Sequence, residues 1–147
     1  STRPTFFSLF WAAKKRTYMV TISKKSTFYL ESILFKNLQF NAQIGVMGHE
    51  LSHISDYINK GLGKMGHIVV IEMVSKKKVD FFEYHTDISC INHGLGYQLL
   101  DWSTEIRKKL KRSNWLGANN LIFDDTRERY LNPSTIIEVI DKIEQYK

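Results

Sequence analysis

Cysteine is almost absent from this sequence of 147 residues, because Cys90 is its only one. A disulfide within these residues is therefore excluded, and so is a structural zinc site built from several thiolates. Any metal bound here must be held by histidines and carboxylates. A single cysteine is also typical of proteins in a reducing compartment, so the composition favours the cytoplasm slightly over export.

Long apolar runs are absent as well. The strongest run, FFSLFWAA at positions 6–13, has eight residues, whereas a helix that crosses a bilayer needs roughly 20. We therefore expect no transmembrane segment and interpret this run as a buried N-terminal segment. Prolines occur only at Pro4 and Pro133, and no repeat or flexible linker divides the chain. This pattern predicts one domain over residues 1–147.

Acidic residues are outnumbered, with 15 Asp and Glu against 21 Lys and Arg and a net charge of +6. The cations gather in three runs, at positions 14–16, 76–78 and 107–112. Such a surface attracts nucleic acid or anionic lipid. However, the runs lack the interleaved aromatic residues of a base-stacking surface. We therefore expect solvated helix ends, where cations in the last turn complement the helix dipole.

The pattern of apolar residues predicts an α+β fold in which helices dominate. Positions 17–23 alternate polar and apolar residues and predict a strand, and positions 27–34 are expected to return as a second strand of a short N-terminal sheet. A helix is predicted from an N-cap at Asn41 to about Asn59, before the glycines at 61 and 63. Positions 67–75 favour a short buried helix over a strand.

The C-terminal half is predicted to be helical. Residues 79–110 read as a largely helical stretch that is weakened at Gly94 and Gly96. Its apolar face consists of Tyr84, Ile88, Ile91, Leu95 and Leu99. Pro133 takes the first position of a final helix after Asn132. The apolar stripe of that helix consists of Ile136, Ile137, Ile140 and Ile143.

The most informative stretch is HELSH at positions 49–53, inside the best defined of the predicted helices. His49 and His53 lie about 40° apart around the helix axis and roughly 6 Å apart along it, so both imidazoles can reach one metal ion. Glu50 flanks the same site, where it can take a proton from water activated by the metal. This spacing arises by chance in on the order of one in a few hundred chains of this length. We interpret the motif as a zinc site.

The remainder of this helix predicts which of its faces are buried. One face is apolar and is expected to contact the core, and it consists of Ile44, Met47, Leu51, Ile54 and Ile58. His49 and His53 fall on roughly the opposite side, and so face a second environment. A third stripe has only small residues, which would let another backbone approach closely, and it consists of Gly45, Gly48, Ser52 and Ser55.

Two histidines require a third protein ligand. In the pattern HExxHxxGxxH the glycine and the third histidine would fall at positions 56 and 59, and Asp56 and Asn59 exclude it. Downstream, Glu83 and Asp87 share one helical face at i and i+4. Glu83 can coordinate zinc, while Asp87 can accept a hydrogen bond from the other nitrogen of a zinc-bound histidine.

Three other histidines are alternative candidates for a metal ligand. His85 is the main rival, but it lies about 200° from Glu83 on the same helix and is expected to face elsewhere. His67 and His93 are expected to be surface or core histidines.

With these motifs, the sequence resembles the gluzincins, the thermolysin-like zinc peptidases, whose signature is HExxH followed by ExxxD on a second helix. HELSH at 49–53 and EYHTD at 83–87 match that signature, and the compact size looks most like the minigluzincins and related small bacterial peptidases. The resemblance covers about residues 40–100 and implies a small zincin-like metallopeptidase domain. It makes His49, His53 and Glu83 the zinc ligands, Glu50 the general base and Asp87 the partner of a ligand histidine.

The resemblance also implies two further parts of a peptidase site. Gluzincins usually have a side chain that stabilises the oxyanion, for which the candidates are Tyr97, Arg129 and Tyr130, with Tyr130 favoured. Such peptidases bind substrate by β-augmentation on an edge strand upstream of the active-site helix, which is where the strand at 17–23 lies.

The expected function is therefore zinc-dependent hydrolysis of peptide bonds in a peptide or protein substrate. Two alternatives stay open. The basic runs suggest a DNA-associated zinc protease or a zinc-dependent nucleic-acid-binding module. The other alternative is a zinc-site protein without turnover, which acts by binding or is held latent by its own chain. The intact Glu50 argues against a degenerate site.

Overall fold

A computed structural model of the chain describes residues 1–5, 8, 11–12, 15–58, 60, 76–117 and 128–146. Helices account for 66% of them, and a sheet of two short strands lies at the N-terminal end. The predicted α+β class with dominant helices is thus confirmed. Within these ranges, no helix combines the length and the apolar character needed to cross a membrane.

The sheet pairs β1 (Thr2–Pro4) with β2 (Tyr18–Val20) in antiparallel register. The centre of the strand predicted at 17–23 is therefore confirmed. The second strand predicted at 27–34 is wrong, because these residues contain the one-turn helix α1 (Phe28–Glu31). The carbonyl of Thr27 accepts hydrogen bonds from the N–H groups of Leu30 and Glu31. This local turn uses backbone groups that a strand would need for pairing.

Four longer helices follow α1. They are α2 (Phe40–Ile58), α3 (Lys76–Cys90), α4 (Gly96–Leu110) and α5 (Pro133–Lys142), with 3-10 turns at Phe35–Asn37 and Glu144–Tyr146. Because α2 begins at Phe40, Asn41 lies inside its first turn, and the N-cap predicted at Asn41 is wrong. Two of the predictions lie outside the described residues. They are the end of this helix at Asn59 before the glycines at 61 and 63, and the short helix at 67–75.

The helical stretch predicted at 79–110 is present, with α3 and α4 joined by a π-helical turn at Ile91–Leu95. Gly94 has a φ of 87°, a left-handed conformation that residues with a Cβ rarely adopt, so glycine permits the kink here. Gly96 is regular helix, and its lack of a side chain serves packing instead. A Cβ there would lie 2.9 Å from the Ile140 side chain of α5.

The main core lies where α3, α4 and α5 meet. Its buried members are Cys90, Ile91, Leu99, Leu131, Ile136 and Ile140. The predicted face of α3 and α4 packs here, and α5 starts at Pro133 after the N-cap Asn132, as predicted. Ile137 is an exception, because 47% of it is exposed.

Helix α2 buries a different face from the one predicted. None of the five residues of its apolar stripe is buried, and Leu51 is 53% exposed. The buried residues are Ala42, Gly45, Gly48, His49, Ser52, His53 and Tyr57. A Cβ on Gly45 would lie 2.2 Å from the carbonyl oxygen of Gln98 in α4. The small residues thus allow the predicted close approach of another backbone, that of α4. Because this face of α2 is buried, His49 and His53 are buried as well.

All three basic runs differ from the expected solvated helix ends. In the run at 14–16, Arg16 is buried, with 8% of its surface accessible, and it donates a hydrogen bond to the carbonyl of Lys60. The lysines at 76–78 begin α3, so they lie in its first turn and not in its last. The run at 107–112 does end α4, and Lys108 is exposed there, but Arg107 is buried with 7% of its surface accessible.

Candidate metal centre

Helices α2 and α3 bring three potential metal ligands together. The Nε2 atoms of His49 and His53, one turn apart on α2, are separated by 3.1 Å. From α3, Glu83 places Oε2 at 3.1 Å from His49 Nε2 and at 3.3 Å from His53 Nε2. The three atoms form a nearly equilateral triangle, and the group could hold a metal ion.

The dimensions of this triangle fit a small tetrahedral cation. Around zinc, with ligand bonds of about 2.0–2.1 Å, neighbouring ligand atoms of a tetrahedron lie about 3.3 Å apart. Moreover, Glu83 Oε2 is buried and has no hydrogen-bond donor in satisfactory geometry. A buried oxygen of this kind is rarely left without a partner, and a cation bound between the imidazoles would supply one.

Each histidine is oriented by a contact at its other ring nitrogen. Nδ1 of His49 lies 2.7 Å from Oδ1 of Asp87, a residue that is only 1% exposed. Since a carboxylate only accepts hydrogen bonds, Nδ1 carries the proton and Nε2 is left free for a metal. Thr86 lies 3.2 Å from Nδ1 of His53 and donates its own proton to the carbonyl of Phe82. The same tautomer is therefore favoured in His53.

Charge interactions in the cluster shift the pKa values of its members. Burial opposes the charged form of His49, but the contacts with Asp87 and Glu83 outweigh burial and raise its pKa to about 10. Burial likewise opposes the charge of Glu83, yet the two imidazoles hold its pKa well below the usual range. Without a metal, these interactions favour a protonated His49 paired with the carboxylate of Glu83.

Glu50 lies beside the triangle on α2. It lines a cavity of about 260 Å³ together with His49, and the same cavity is lined by Val46, Met47 and Trp102. Its carboxylate is 15% exposed in side-chain terms. One oxygen accepts a hydrogen bond of 2.7 Å from the hydroxyl of Thr2, and the other lies 3.1 Å from the amino group of Ser1. Strand β1 therefore borders the cavity at Glu50.

The three candidates for an oxyanion donor have different surroundings. Tyr97 is 55% exposed on α4, and its ring packs on Tyr146. Arg129 is engaged by Asp80 of α3, with 2.6 Å between Nε and Oδ1. Only Tyr130 of the three lines the cavity beside Glu50, and its ring centre lies 5.5 Å from that of His49.

The environment of Tyr130 keeps its phenol protonated. Burial, followed by the carboxylates of Glu83 and Asp87, raises its pKa well above the usual value. A neutral phenol can donate a hydrogen bond at any pH near neutrality.

The other histidines stay apart from the cluster, as far as they are described. His85 is exposed and packs on Phe81, and the exposed His93 contacts the carbonyl of Ser89, so the predictions for both are confirmed. His67 lies outside the described residues.

Several contacts of the site were missed by sequence reasoning. Thr86 lies within EYHTD, three residues after Glu83, so its helical spacing was an available signal. Trp102, whose ring centre lies 5.4 Å from that of His49, and Thr2 at Glu50 are distant in sequence and had no such signal.

Comparison of this chain with protein-family models, with curated proteins and with solved structures gave no match.

Proposed function

We propose that this protein is a zinc-dependent peptidase of the gluzincin type. The observation that carries the proposal is the triangle of His49, His53 and Glu83, with Asp87 on the far nitrogen of His49 and Glu50 on the adjoining cavity wall. Two imidazoles and one carboxylate are a donor set that occurs in catalytic zinc sites, and they leave a fourth tetrahedral position for water or substrate.

In the proposed reaction, zinc supplies Lewis acidity towards water and towards the carbonyl of the scissile peptide bond. Glu50 takes a proton from the attacking water and passes it to the departing amine. Asp87 and Thr86 hold the two imidazoles in the tautomer with Nε2 free. The neutral phenol of Tyr130 donates a hydrogen bond to the negative charge that develops on the carbonyl oxygen.

The cavity beside Glu50 supports a preference for substrates with an apolar side chain. Its wall is mostly aliphatic and aromatic, and it consists of residues such as Leu34, Val46, Met47, Trp102 and Ile106. A volume of about 260 Å³ is enough for one side chain of medium or large size. Residues 20–23, at and after the end of β2, line the same cavity. We propose that they hold the substrate backbone in extended form.

The test is cleavage of a diverse peptide mixture by the zinc-loaded protein, with cut sites read by mass spectrometry. Glu50→Gln should retain zinc and lose turnover, because the amide cannot accept the proton. Glu138→Gln, which removes a carboxylate from an exposed position on α5, is the matched control and should behave like the wild type. Zinc retained together with full activity in Glu50→Gln would refute the role of Glu50.

The contact of Thr2 with Glu50 favours a second candidate, a zinc peptidase held latent by its own chain. A hydroxyl hydrogen-bonded to Glu50 competes with water for the general base. Thr2→Val removes that bond at nearly constant volume, so kcat/KM should rise if the contact is inhibitory. An unchanged kcat/KM would reject latency at this contact.

A DNA-associated activity finds less support, because Arg107 of the longest basic run is buried and not available to a phosphate backbone. This alternative would be supported if duplex DNA stimulated cleavage and if the stimulation decreased steeply with added salt.

A further inference from the structure

Arg107 is a buried cation whose hydrogen bonds all go to uncharged oxygen atoms. It lies in the last turn of α4 and is 7% exposed. Its acceptors are the carbonyls of Ser103, Ser113 and Tyr130, the hydroxyl of Ser103 and the side-chain oxygen of Asn132. Burial lowers its pKa to about 10, which still leaves the group charged at neutral pH. The nearby carboxylates of Glu128 and Asp87 favour its charged form, and a charge that is buried in this way is tolerated only when it is also hydrogen-bonded.

The guanidinium of Arg107 holds one short segment of the chain. Nη2 donates to the carbonyl of Tyr130 at 3.2 Å and to Oδ1 of Asn132 at 2.5 Å, while Nε donates to the same Oδ1 at 3.1 Å. The hydroxyl of Ser103 donates to the carbonyl of Leu131 at 2.7 Å. One turn of α4 thus binds three consecutive residues, 130–132. A planar fork of donors fixes several acceptors at once, which a lysine ammonium cannot do.

The same three residues are also tied to the metal centre. The N–H of Leu131 donates to Oδ2 of Asp87 at 2.7 Å, while Oδ1 of Asp87 contacts His49. The backbone that follows the Tyr130 side chain is therefore fixed, by α4 from one direction and by α3 from another. The Tyr130 ring packs on Trp102, with 5.7 Å between ring centres, and faces His49.

We propose that Arg107 is a positioning residue, which sets the phenol of Tyr130 against the metal centre by holding residues 130–132. This inference rests on the proposed peptidase function for its kinetic consequence, but not for its structural one. Arg107 is no ligand of the metal and does not line the cavity. Its loss should therefore leave metal binding intact while it displaces Tyr130.

The structural arm of the test needs no activity. The protein is labelled with 3-fluorotyrosine, and the 19F resonance of Tyr130 is assigned by its loss in Tyr130→Phe. In Arg107→Gln this resonance should shift or broaden, whereas in Lys108→Gln, the exposed neighbour on α4, it should not. Zinc affinity, measured by chelator competition, should stay within roughly threefold of the wild type in both variants. If the Tyr130 resonance is unchanged in folded Arg107→Gln, the proposal is overturned.

The kinetic arm tests whether Arg107 acts through Tyr130. Arg107→Gln should lower kcat roughly 10- to 100-fold at nearly constant KM, because a displaced donor loses most of its effect. The double variant with Tyr130→Phe should be no slower than Tyr130→Phe alone. Losses that multiply in the double variant would overturn the proposal, since they would mean that Arg107 acts by another route.

Two further measurements keep the outcomes distinct. Asn132→Ala removes the acceptor of two Arg107 hydrogen bonds and serves in both arms if Arg107→Gln does not fold. Arg107→Lys keeps the charge without the fork, so it should resemble Arg107→Gln and not the wild type. Absence of turnover in both the zinc-loaded wild type and Thr2→Val would refute the proposed function, and the fluorine resonance alone would then decide the positioning role.

Discussion

Asp87→Asn separates the two hydrogen bonds that this carboxylate makes. Asp87 is 1% exposed, and each of its oxygens is 2.7 Å from one partner, Nδ1 of His49 or the N–H of Leu131. Asparagine has almost the same shape but only one acceptor oxygen. Its NH2 group must therefore face a group that also donates.

Both orientations of the amide disturb the site. If the oxygen stays on Leu131, the NH2 group faces His49 and favours the tautomer with the proton on Nε2, the atom that a metal needs. If the oxygen stays on His49, the N–H of Leu131 loses its partner, and an unpaired buried donor costs about 1–3 kcal/mol. Since 1.4 kcal/mol corresponds to a factor of ten, we expect zinc affinity to fall about 10- to 100-fold.

The assay is competition for zinc with a chromogenic chelator near neutral pH, with folding checked by circular dichroism. The matched control is Asp101→Asn, which makes the same chemical change at an exposed position of α4. It should bind zinc like the wild type. If folded Asp87→Asn binds zinc within twofold of the wild type, Asp87 does not orient His49 in the way inferred here.

Two further predictions concern packing and pH. Gly45→Ala would place a Cβ 2.2 Å from the Gln98 carbonyl, so it should lower the free energy of unfolding by about 1–3 kcal/mol. The measurement is a denaturant titration of both variants. Leu51→Ala, at a residue that is 53% exposed, should lower the free energy of unfolding by less than Gly45→Ala. A larger loss in Leu51→Ala would contradict the close approach of α2 and α4. The metal-free protein should lose stability as pH rises, because the pKa of His49 goes from 6.5 to about 10 on folding. The stabilisation by protonated His49 is complete below pH 6.5 and lost by about pH 10. Thermal melts measure this as a melting temperature that falls with rising pH in the metal-free protein. The fall should be smaller with zinc, because a metal-bound His49 is neutral throughout.

The parts of the site that lie within one helix could be predicted from the sequence. The spacing of His49 and His53, and that of Glu83 and Asp87, follows from helix geometry alone. The prediction that these two pairs lie together depends on the resemblance to gluzincins, because spacing within one helix does not indicate which helices pack together. The structure brings these four side chains into contact.

The buried face of α2 was predicted wrongly for a physical reason. Counting apolar residues favours the stripe with Leu51, because large side chains usually gain most from burial. Here Gly45 and Gly48 allow such a close approach to α4 and the turn before it that the small-residue face is buried instead. Hydrophobic periodicity does not detect packing that depends on missing side chains.

The role of residues 130–132 could not be predicted from periodicity either. These residues precede α5 in an irregular segment, and their partners Asp87, Ser103 and Arg107 are far away in sequence. The prediction for Tyr130 depends on the resemblance alone, because gluzincins usually have a side chain that stabilises the oxyanion. Arg107 was interpreted as part of a solvated basic run, since a charge pattern does not indicate burial.

The two-sided contact of Asp87 has a thermodynamic consequence for the C-terminal part of the chain. Leu131 lies just before α5, and its N–H depends on the carboxylate that also orients His49. Any ligand that binds only the folded form stabilises it by an amount that grows with the logarithm of the ligand concentration. Metal binding and the docking of α5 are then linked equilibria. A higher concentration of free metal would therefore stabilise the docked form of α5, and a change that weakens the packing of α5 would in turn weaken metal binding.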